Sequence, residues 1–314
     1  MKKPDVIVIT GPTATGKTAL GASVAVLLNG EVISADSMQV YRHMDIGTAK
    51  PSSGEMLGVP HHMLDVASPL EDYSVSRYID EAALCIDGVL NRGKLPVLVG
   101  GTGLYIDSLL SGRGFSPRGN EGFRRELEER YEKEGGEPML EELRGFDPES
   151  AARLHANDRK RIVRAFEIHG LTGKTITQHD KETQTIPERY NALKFALTFS
   201  ERSTLYARIE KRVDDMLEAG FYGEVENLLK MGVAPGSTAM QAIGYREIAA
   251  ALLGESTPDE AAAMIKQRSR NYAKRQLTWL RRDEHINWIA WEKEPDIDSA
   301  IVIIKNTCHR STDP

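Results

Sequence analysis

The stretch Gly11-Pro12-Thr13-Ala14-Thr15-Gly16-Lys17-Thr18 follows the apolar run Val6-Ile7-Val8-Ile9 and opens an Ala- and Leu-rich segment. The spacing G-x-x-x-x-G-K-[ST] in that setting predicts a strand, a phosphate-cradling loop and a helix. Backbone N–H groups of such a loop converge on the anion, the helix N-terminus behind them carries partial positive charge, and a lysine adds a full one. All eight positions are therefore expected to hold a polyphosphate or pyrophosphate, with Lys17 on the phosphates and the Thr18 hydroxyl offered to Mg²⁺.

Outward from this loop, strand-like and helical runs alternate: strands over 6–9, 31–34 and 96–99, helices over 17–28 and 74–90. Such β/α alternation predicts an α/β fold, a parallel sheet of the P-loop NTPase-like kind flanked by helices. After the turn-like Ser111-Gly112-Arg113-Gly114 the sequence becomes charged and helix-forming, with almost no β-branched runs until Pro187. We assign 113–190 to a helical insertion and 1–112 with 191–314 to the core. The run 195–199 returns to the sheet, followed by helices over 204–219 and 221–229. A longer helix starts at Pro258, where Thr257 can cap it and proline suits the first turn.

The chain has 314 residues, 40% of them hydrophobic and 27% charged, with no run of apolar residues long enough for a membrane span. Met1-Lys2-Lys3-Pro4 leads straight into the first strand, so no signal peptide is expected. Two cysteines, Cys85 and Cys308, are too few for a disulfide framework or zinc module and point to a reducing, cytoplasmic setting. Without a heptad or exposed apolar signature the chain is read as a monomer. The net charge of −6 hides an asymmetry: residues 266–282 hold seven cations and no acid, so the rest of the chain must carry −13. A dense basic helix on an acidic protein suggests a polyanion partner, although a solvated basic face produces the same pattern.

In an ordinary P-loop NTPase a second strand ends in an acid that holds Mg²⁺, whereas here the run 97–99 ends in Gly100-Gly101-Thr102-Gly103. The acid at a strand tip is Asp36. In a doubly wound sheet both tips open onto one crevice, so Asp36 should face the phosphates. It can cap a helix or orient a metal there, or it can act as a general base beside the leaving group. His61 and His62 lack companions at metal-ligand spacing and are read as loop or core residues. Arg208 and Arg212, one turn apart, are either pyrophosphate ligands or a surface pair with Glu210.

The segments 36–42, 44–51 and 100–105 resemble signature segments of the tRNA dimethylallyltransferases, as do 61–65, 157–167, Gly220-Phe221, 241–246 and 274–281. The resemblance runs over nearly the full length in the right order. It implies that the loop holds the diphosphate of dimethylallyl diphosphate rather than ATP. The prenyl group would go to the exocyclic amine of the adenosine just 3′ of the anticodon, in tRNAs reading codons that begin with U. Asp36 would then be the base, Lys17 would neutralise the leaving group, and Thr102 would lie at the adenosine, where it can also serve as a helix N-cap. The resemblance further implies tRNA contacts at Asp36, Ser37, Met38, Gln39 and Thr102, and at Arg124, Lys160, Arg161, Ile162, Val163 and Arg164 in the insertion. It adds Gln241, Ala242, Ile243, Gly244, Tyr245 and Arg246, then Lys274, Arg275, Gln276 and Arg281. Mg²⁺ is the expected cofactor, and no zinc is expected. The competing readings are a transferase that prenylates free adenine nucleotides and an RNA-binding ATPase or kinase.

Overall fold

A computed structural model describes residues 4–112 and 121–310. Arg113 and Gly114, where the insertion is expected to begin, lie outside the described residues, as do Met1-Lys2-Lys3 and the last four positions. The chain divides into two compact units, one running to Leu110 and resuming at Arg189, the other comprising Ser111–Glu188.

The first unit begins β1 (Val6–Thr10), α1 (Lys17–Leu27), β2 (Gly30–Ser34), β3 (His61–His62), α2 (Val75–Asn91), β4 (Leu95–Val99) and α3 (Gly103–Ser111). The second unit contributes α4 (Glu121–Glu134), α5 (Gly136–Phe146), α6 (Pro148–Ala151), α7 (Arg159–Thr172) and α8 (Ile176–Gln184). The first unit then resumes with β5 (Ala192–Phe199), α9 (Arg202–Glu218), α10 (Phe221–Lys230), α11 (Tyr245–Leu252), α12 (Pro258–Leu280), β6 (Asn287–Trp291) and α13 (Ile297–Arg310). No helix among the described residues is long and apolar enough to cross a membrane.

The strands form one parallel sheet in the order β3-β2-β4-β1-β5-β6. A strand buried on both faces must be apolar throughout rather than alternating, which is why β1 reads VIVIT with every residue buried. One core packs α2, α10 and α11 around Tyr78, Phe221 and Tyr245; a second, around Ile7, Ile9 and Trp291, involves α1, α9 and α13. Because all strands run the same way, the loops after β1, β2 and β4 emerge at one edge. The chain crosses over β4 between β1 and β2, which opens a crevice there.

Two strands escape a reading of the sequence. β3 has only two residues and joins the sheet because Val32 and Ile33 offer an open edge to His61 and His62. β6 pairs with β5 in register from Phe195–Asn287 to Phe199–Trp291, an alignment set by partners almost a hundred residues apart. By contrast, the start of α12 follows local rules. Thr257 and Glu260 form a reciprocal capping box with Pro258 in the first turn.

Away from the crevice, at the other end of β2, the buried Glu31 binds Arg92 Nη2 at 2.6 Å, His62 Nε2 at 2.7 Å and Lys94 Nζ at 3.0 Å. His61 turns instead to the Val59 carbonyl, and burial lowers its pKa. The Arg92 guanidinium, helped by His62 and Lys94 against the cost of burial, pulls the Glu31 pKa down to about 2. A depressed carboxylate pKa stabilises the fold above the unfolded-state value near 4.5, and that stabilisation drains away as pH falls from there towards 2. With allowance for the half-exposed Arg92, Glu31→Gln should cost about 2 kcal/mol at pH 7 and progressively less below pH 4.5. Urea unfolding at pH 7 and pH 3 checks this; a gap between the proteins that does not narrow at low pH contradicts it.

The second unit has its own core of Leu127, Met139, Leu140, Leu143, Ile162, Val163 and Phe166. Asp147 caps α6 through Ser150 N–H and also accepts from the Thr177 hydroxyl at 2.6 Å, tying α6 to α8.

Candidate active site

After β1 the backbone curls through Gly11 and Ala14 at positive φ, and Gly16, left-handed at φ 84°, opens α1 without a side-chain cap. The first N–H groups of α1 are thus left for an anion. The loop is braced from outside. Thr13 N–H donates to Gln276 Oε1 at 3.1 Å, Trp291 Nε1 donates to the Thr15 carbonyl at 3.0 Å, and Arg208 Nε donates to the Ala14 carbonyl at 3.3 Å. Lys17 Nζ donates to the Pro12 carbonyl at 2.6 Å. Desolvation, then repulsion from Arg212, lowers the Lys17 pKa to about 7 against the opposing pull of Asp36.

A cavity of about 660 Å³ opens beside the loop, lined by Thr13 to Thr18, Asp36 to Gln39, Gln241 to Ile243, Arg212, Arg275 and Gln276 among others. Gly11 and Pro12 do not line it; Gly11 lies against the β5 backbone, where a Cβ would meet the Leu197 carbonyl oxygen at 2.5 Å. Asp36 does face it. Its Oδ1 accepts from Met38 N–H at 2.9 Å and Gln39 N–H at 3.3 Å, so it caps a turn rather than the helix expected. Among the described residues Oδ2 has no hydrogen bond, so one carboxylate both caps and presents an oxygen to the cavity. Thr102 lies one residue beyond the lining. Its Oγ1 accepts from Ser37 N–H at 3.2 Å, and its N–H donates to the Ala35 carbonyl, which fixes the tip of β2 against that of β4. Tyr272, another lining residue, has its hydroxyl beside Thr102 and Gln276. Burial, then Asp36, pushes its pKa up to about 12.

Arg212 keeps part of its surface open to the cavity, yet its Nε is buried with no hydrogen-bond partner. A guanidinium held so is costly unless an anion completes it. Desolvation lowers its pKa despite the nearby Asp36 and Glu55. The surface pair with Glu210 does not form, because Glu210 binds Arg270 instead. Arg208 is engaged by Glu294 and the Ala14 carbonyl. Of the two arginines, Arg212 is the one left facing the loop uncompensated.

Several expected RNA contacts fall elsewhere. Gln276 is buried at 7% exposure and faces inward: its Oε1 takes the Thr13 N–H and its Nε2 donates to the Gly101 carbonyl at 2.8 Å. A Cβ on residue 101 would stand 2.3 Å from that nitrogen, which explains the glycine. Gln276 therefore ties α12 to the phosphate loop. Tyr245 is fully buried, with its hydroxyl on Glu224 at 2.6 Å, and Gly244 packs against Phe221; Arg246 is exposed outside the cavity. Ile162 and Val163 lie in the core of the second unit, so their side chains cannot reach RNA. In that unit Lys160 and Arg161 are exposed, Arg164 binds the buried Glu167 at 2.6 Å, and Arg124 pairs with Glu128 at 3.2 Å.

The basic face of α12 is smaller than its sequence suggests. Lys266 pairs with Asp214 at 2.6 Å, Arg270 with Glu210 and Arg268 with the buried Glu247. Among the described residues Lys274, Arg275, Arg281 and Arg282, at the C-terminal end, have no ion-pair partner. Ile265, Ala273 and Leu280 pack inward as their periodicity requires, while Trp279 stays partly open and donates Nε1–H to Asp107 at 2.7 Å. Another residue not anticipated is Glu224, whose carboxylate accepts from Asp45, Ile46 and Gly47 N–H at 2.8, 2.7 and 3.1 Å and so shapes the loop carrying Thr48 and Ala49 into the cavity wall.

Among the described residues no group of three His, Cys, Asp or Glu side chains could cage a metal. Mg²⁺ does not need one, since it keeps several waters and binds through one or two protein oxygens plus substrate phosphates. Thr18 at the start of α1, facing the cavity, fits that pattern.

A family model described as IPP transferase matches residues 39–283. The tRNA dimethylallyltransferase of Desulforudis audaxviator is 48% identical over 290 residues, 92% of this chain and 93% of that protein. One from Acetivibrio thermocellus is 45% identical over 303 residues, 96% of each. Among solved structures, the tRNA isopentenylpyrophosphate transferase of Bacillus halodurans aligns at TM-score 0.73 and 40% identity, over 99% of this chain and 98% of that one. A eukaryotic dimethylallyltransferase acting on tRNA aligns at TM-score 0.82 and 30% identity, over 98% and 80%.

Proposed function

Since this chain belongs to the tRNA dimethylallyltransferase family, a prenyltransferase family of P-loop NTPase-like fold, we propose that its cavity joins dimethylallyl diphosphate to an adenosine extruded from a tRNA anticodon loop. The observation that carries this reading is the pairing of Arg212, with its unsatisfied buried nitrogen, and the phosphate loop on one side with the Asp36 carboxylate on the other. Cations and loop N–H groups suit the diphosphate; Val213, Met216, Phe221 and Ile265 suit the apolar dimethylallyl chain.

The reaction forms a bond between the adenine exocyclic nitrogen and the allylic carbon while the bond from that carbon to the diphosphate oxygen breaks. The oxygen leaves with the electron pair, and Lys17, Arg212 and the loop N–H groups stabilise its growing charge. The amine nitrogen loses a proton, which Asp36 accepts. The Thr18 hydroxyl would hold Mg²⁺, which would supply further charge neutralisation when bound. Gln276 and Thr102 touch no reacting atom in this scheme. They keep the phosphate loop and the Asp36 turn in register, Gln276 through Thr13 and Thr102 through Ser37.

An ATPase or kinase is disfavoured because β4 ends in Gly100-Gly101-Thr102 without an acid. The acceptor is assigned to adenosine 3′ of the anticodon, in tRNAs reading codons that begin with U, and a tRNA substrate together with two free thiols fits a cytoplasmic enzyme. Incubation with labelled dimethylallyl diphosphate and either tRNA or AMP tests the acceptor. Label should enter tRNA and disappear when that adenosine is replaced; label in AMP alone would reject the assignment.

A further inference from the structure

A second, smaller cavity of about 210 Å³ lies where the end of β5, the first turns of α9 and the last turns of α12 meet. Phe199, Arg202, Tyr206, Lys274, Thr278 and Arg281 line it. It carries no residue of the scheme above. Of the seven cations of α12 and its C-cap region, those nearer the N-terminus are neutralised by neighbouring helices. Lys274 and Arg281 are not, and both come to this cavity, where Arg202 joins them; none of the three has an ion-pair partner among the described residues. Among the described residues the lining itself holds three cations and no acid; Glu292, beside it, accepts from Ser200 Oγ at 3.0 Å. The Arg202 guanidinium lies 4.9 Å from the centre of the Tyr206 ring and its Nε donates to the phenol oxygen at 2.6 Å, so the two side chains are tied together at the cavity.

The two cavities are neighbours. Arg275 and Gln276 line the larger one, Lys274 and Leu277 the smaller. Phe199 lines the smaller, and Arg208 of the larger sits 5.4 Å from the centre of its ring. A phosphate alone would be served by the cations. An aromatic plane beside them suits a ligand that also has a flat face, and unstacked RNA supplies both at each nucleotide.

We propose that this cavity seats a second nucleotide of the acceptor RNA, a neighbour of the one that is alkylated. Its base lies on the Tyr206 ring, which Arg202 holds, and its phosphate between Lys274 and Arg281. The seat holds the strand taut while the next base is extruded into the larger cavity, so it discriminates single-stranded from paired acceptors. The proposal rests on the RNA-acceptor reading above.

The full chain is titrated with an anticodon stem-loop RNA at several salt concentrations, and with versions lacking one base at each loop position in turn. Arg202→Ala should weaken binding about tenfold and reduce the salt slope by about one, leaving the KM for dimethylallyl diphosphate unchanged. Loss of one base beside the target should weaken wild-type binding about five- to tenfold and leave Tyr206→Leu, which keeps the packing volume, unaffected. Equal sensitivity of wild type and Tyr206→Leu at every position overturns the seat, as does unchanged RNA binding by Arg202→Ala. Failure of the wild type to bind the stem-loop at any salt would instead remove the RNA-acceptor reading, and the seat with it.

Discussion

Asp36→Asn lowers the rate of prenyl transfer by about 10²–10⁴ while tRNA affinity stays within a few-fold and thermal stability is unchanged. Asparagine is the informative replacement. Oδ1 of Asp36 caps the turn at Met38 and Gln39, and an asparagine Oδ1 keeps that acceptor. What it loses is the ability to take a proton from the amine. Asp36→Ala removes both functions, so it should show the same loss of rate plus about 1 kcal/mol of stability from the missing cap. Single-turnover transfer, tRNA binding and melting temperature separate the two effects. An Asp36→Asn enzyme that retains most of its activity would leave only the cap, and the assignment of a base would fall.

Binding of pyrophosphate takes up close to one proton above neutral pH, and Lys17→Met abolishes that uptake. The Lys17 pKa, lowered to about 7 by burial and by Arg212, means that the ammonium is largely deprotonated in the empty site at pH 8. A bound dianion or trianion restores the charge, so the proton comes from solvent. Below pH 7 the lysine is already charged and uptake vanishes; above it, affinity weakens by up to tenfold per pH unit. Calorimetry at pH 6 and pH 8 in buffers of different ionisation heat reads the proton directly. Lys17→Met should also cost about 10²–10³ in kcat/KM, because the lost charge is aimed at the oxygen that becomes more negative as the bond breaks. Equal proton uptake at the two pH values would contradict the assignment. The same depression has an effect without ligand: the unfolded chain binds the proton up to about pH 10, so stability of the empty protein rises as pH climbs from 7 towards 10.

Much of the molecule was legible before any coordinates. The loop 11–18 follows from a steric and electrostatic rule in which each residue type has one use, and the structure places Thr13 to Thr18 on the cavity. Asp36 was located by topology, because every parallel strand delivers its following residue to one edge. Helix ends such as Thr257-Pro258 were legible because caps act within four residues.

What the sequence by itself determined was therefore the set of local conformations and the edge of the sheet at which chemistry gathers, since backbone sterics, capping and hydrophobic period are decided by near neighbours. Tertiary structure alone decided the partners. It set Gln276 against the phosphate loop, gave Glu210 to Arg270 instead of Arg212, and buried Tyr245, Ile162 and Val163. A charge or amide finds its partner across space, from helices remote in the chain, and its sequence neighbours carry no record of which one that will be.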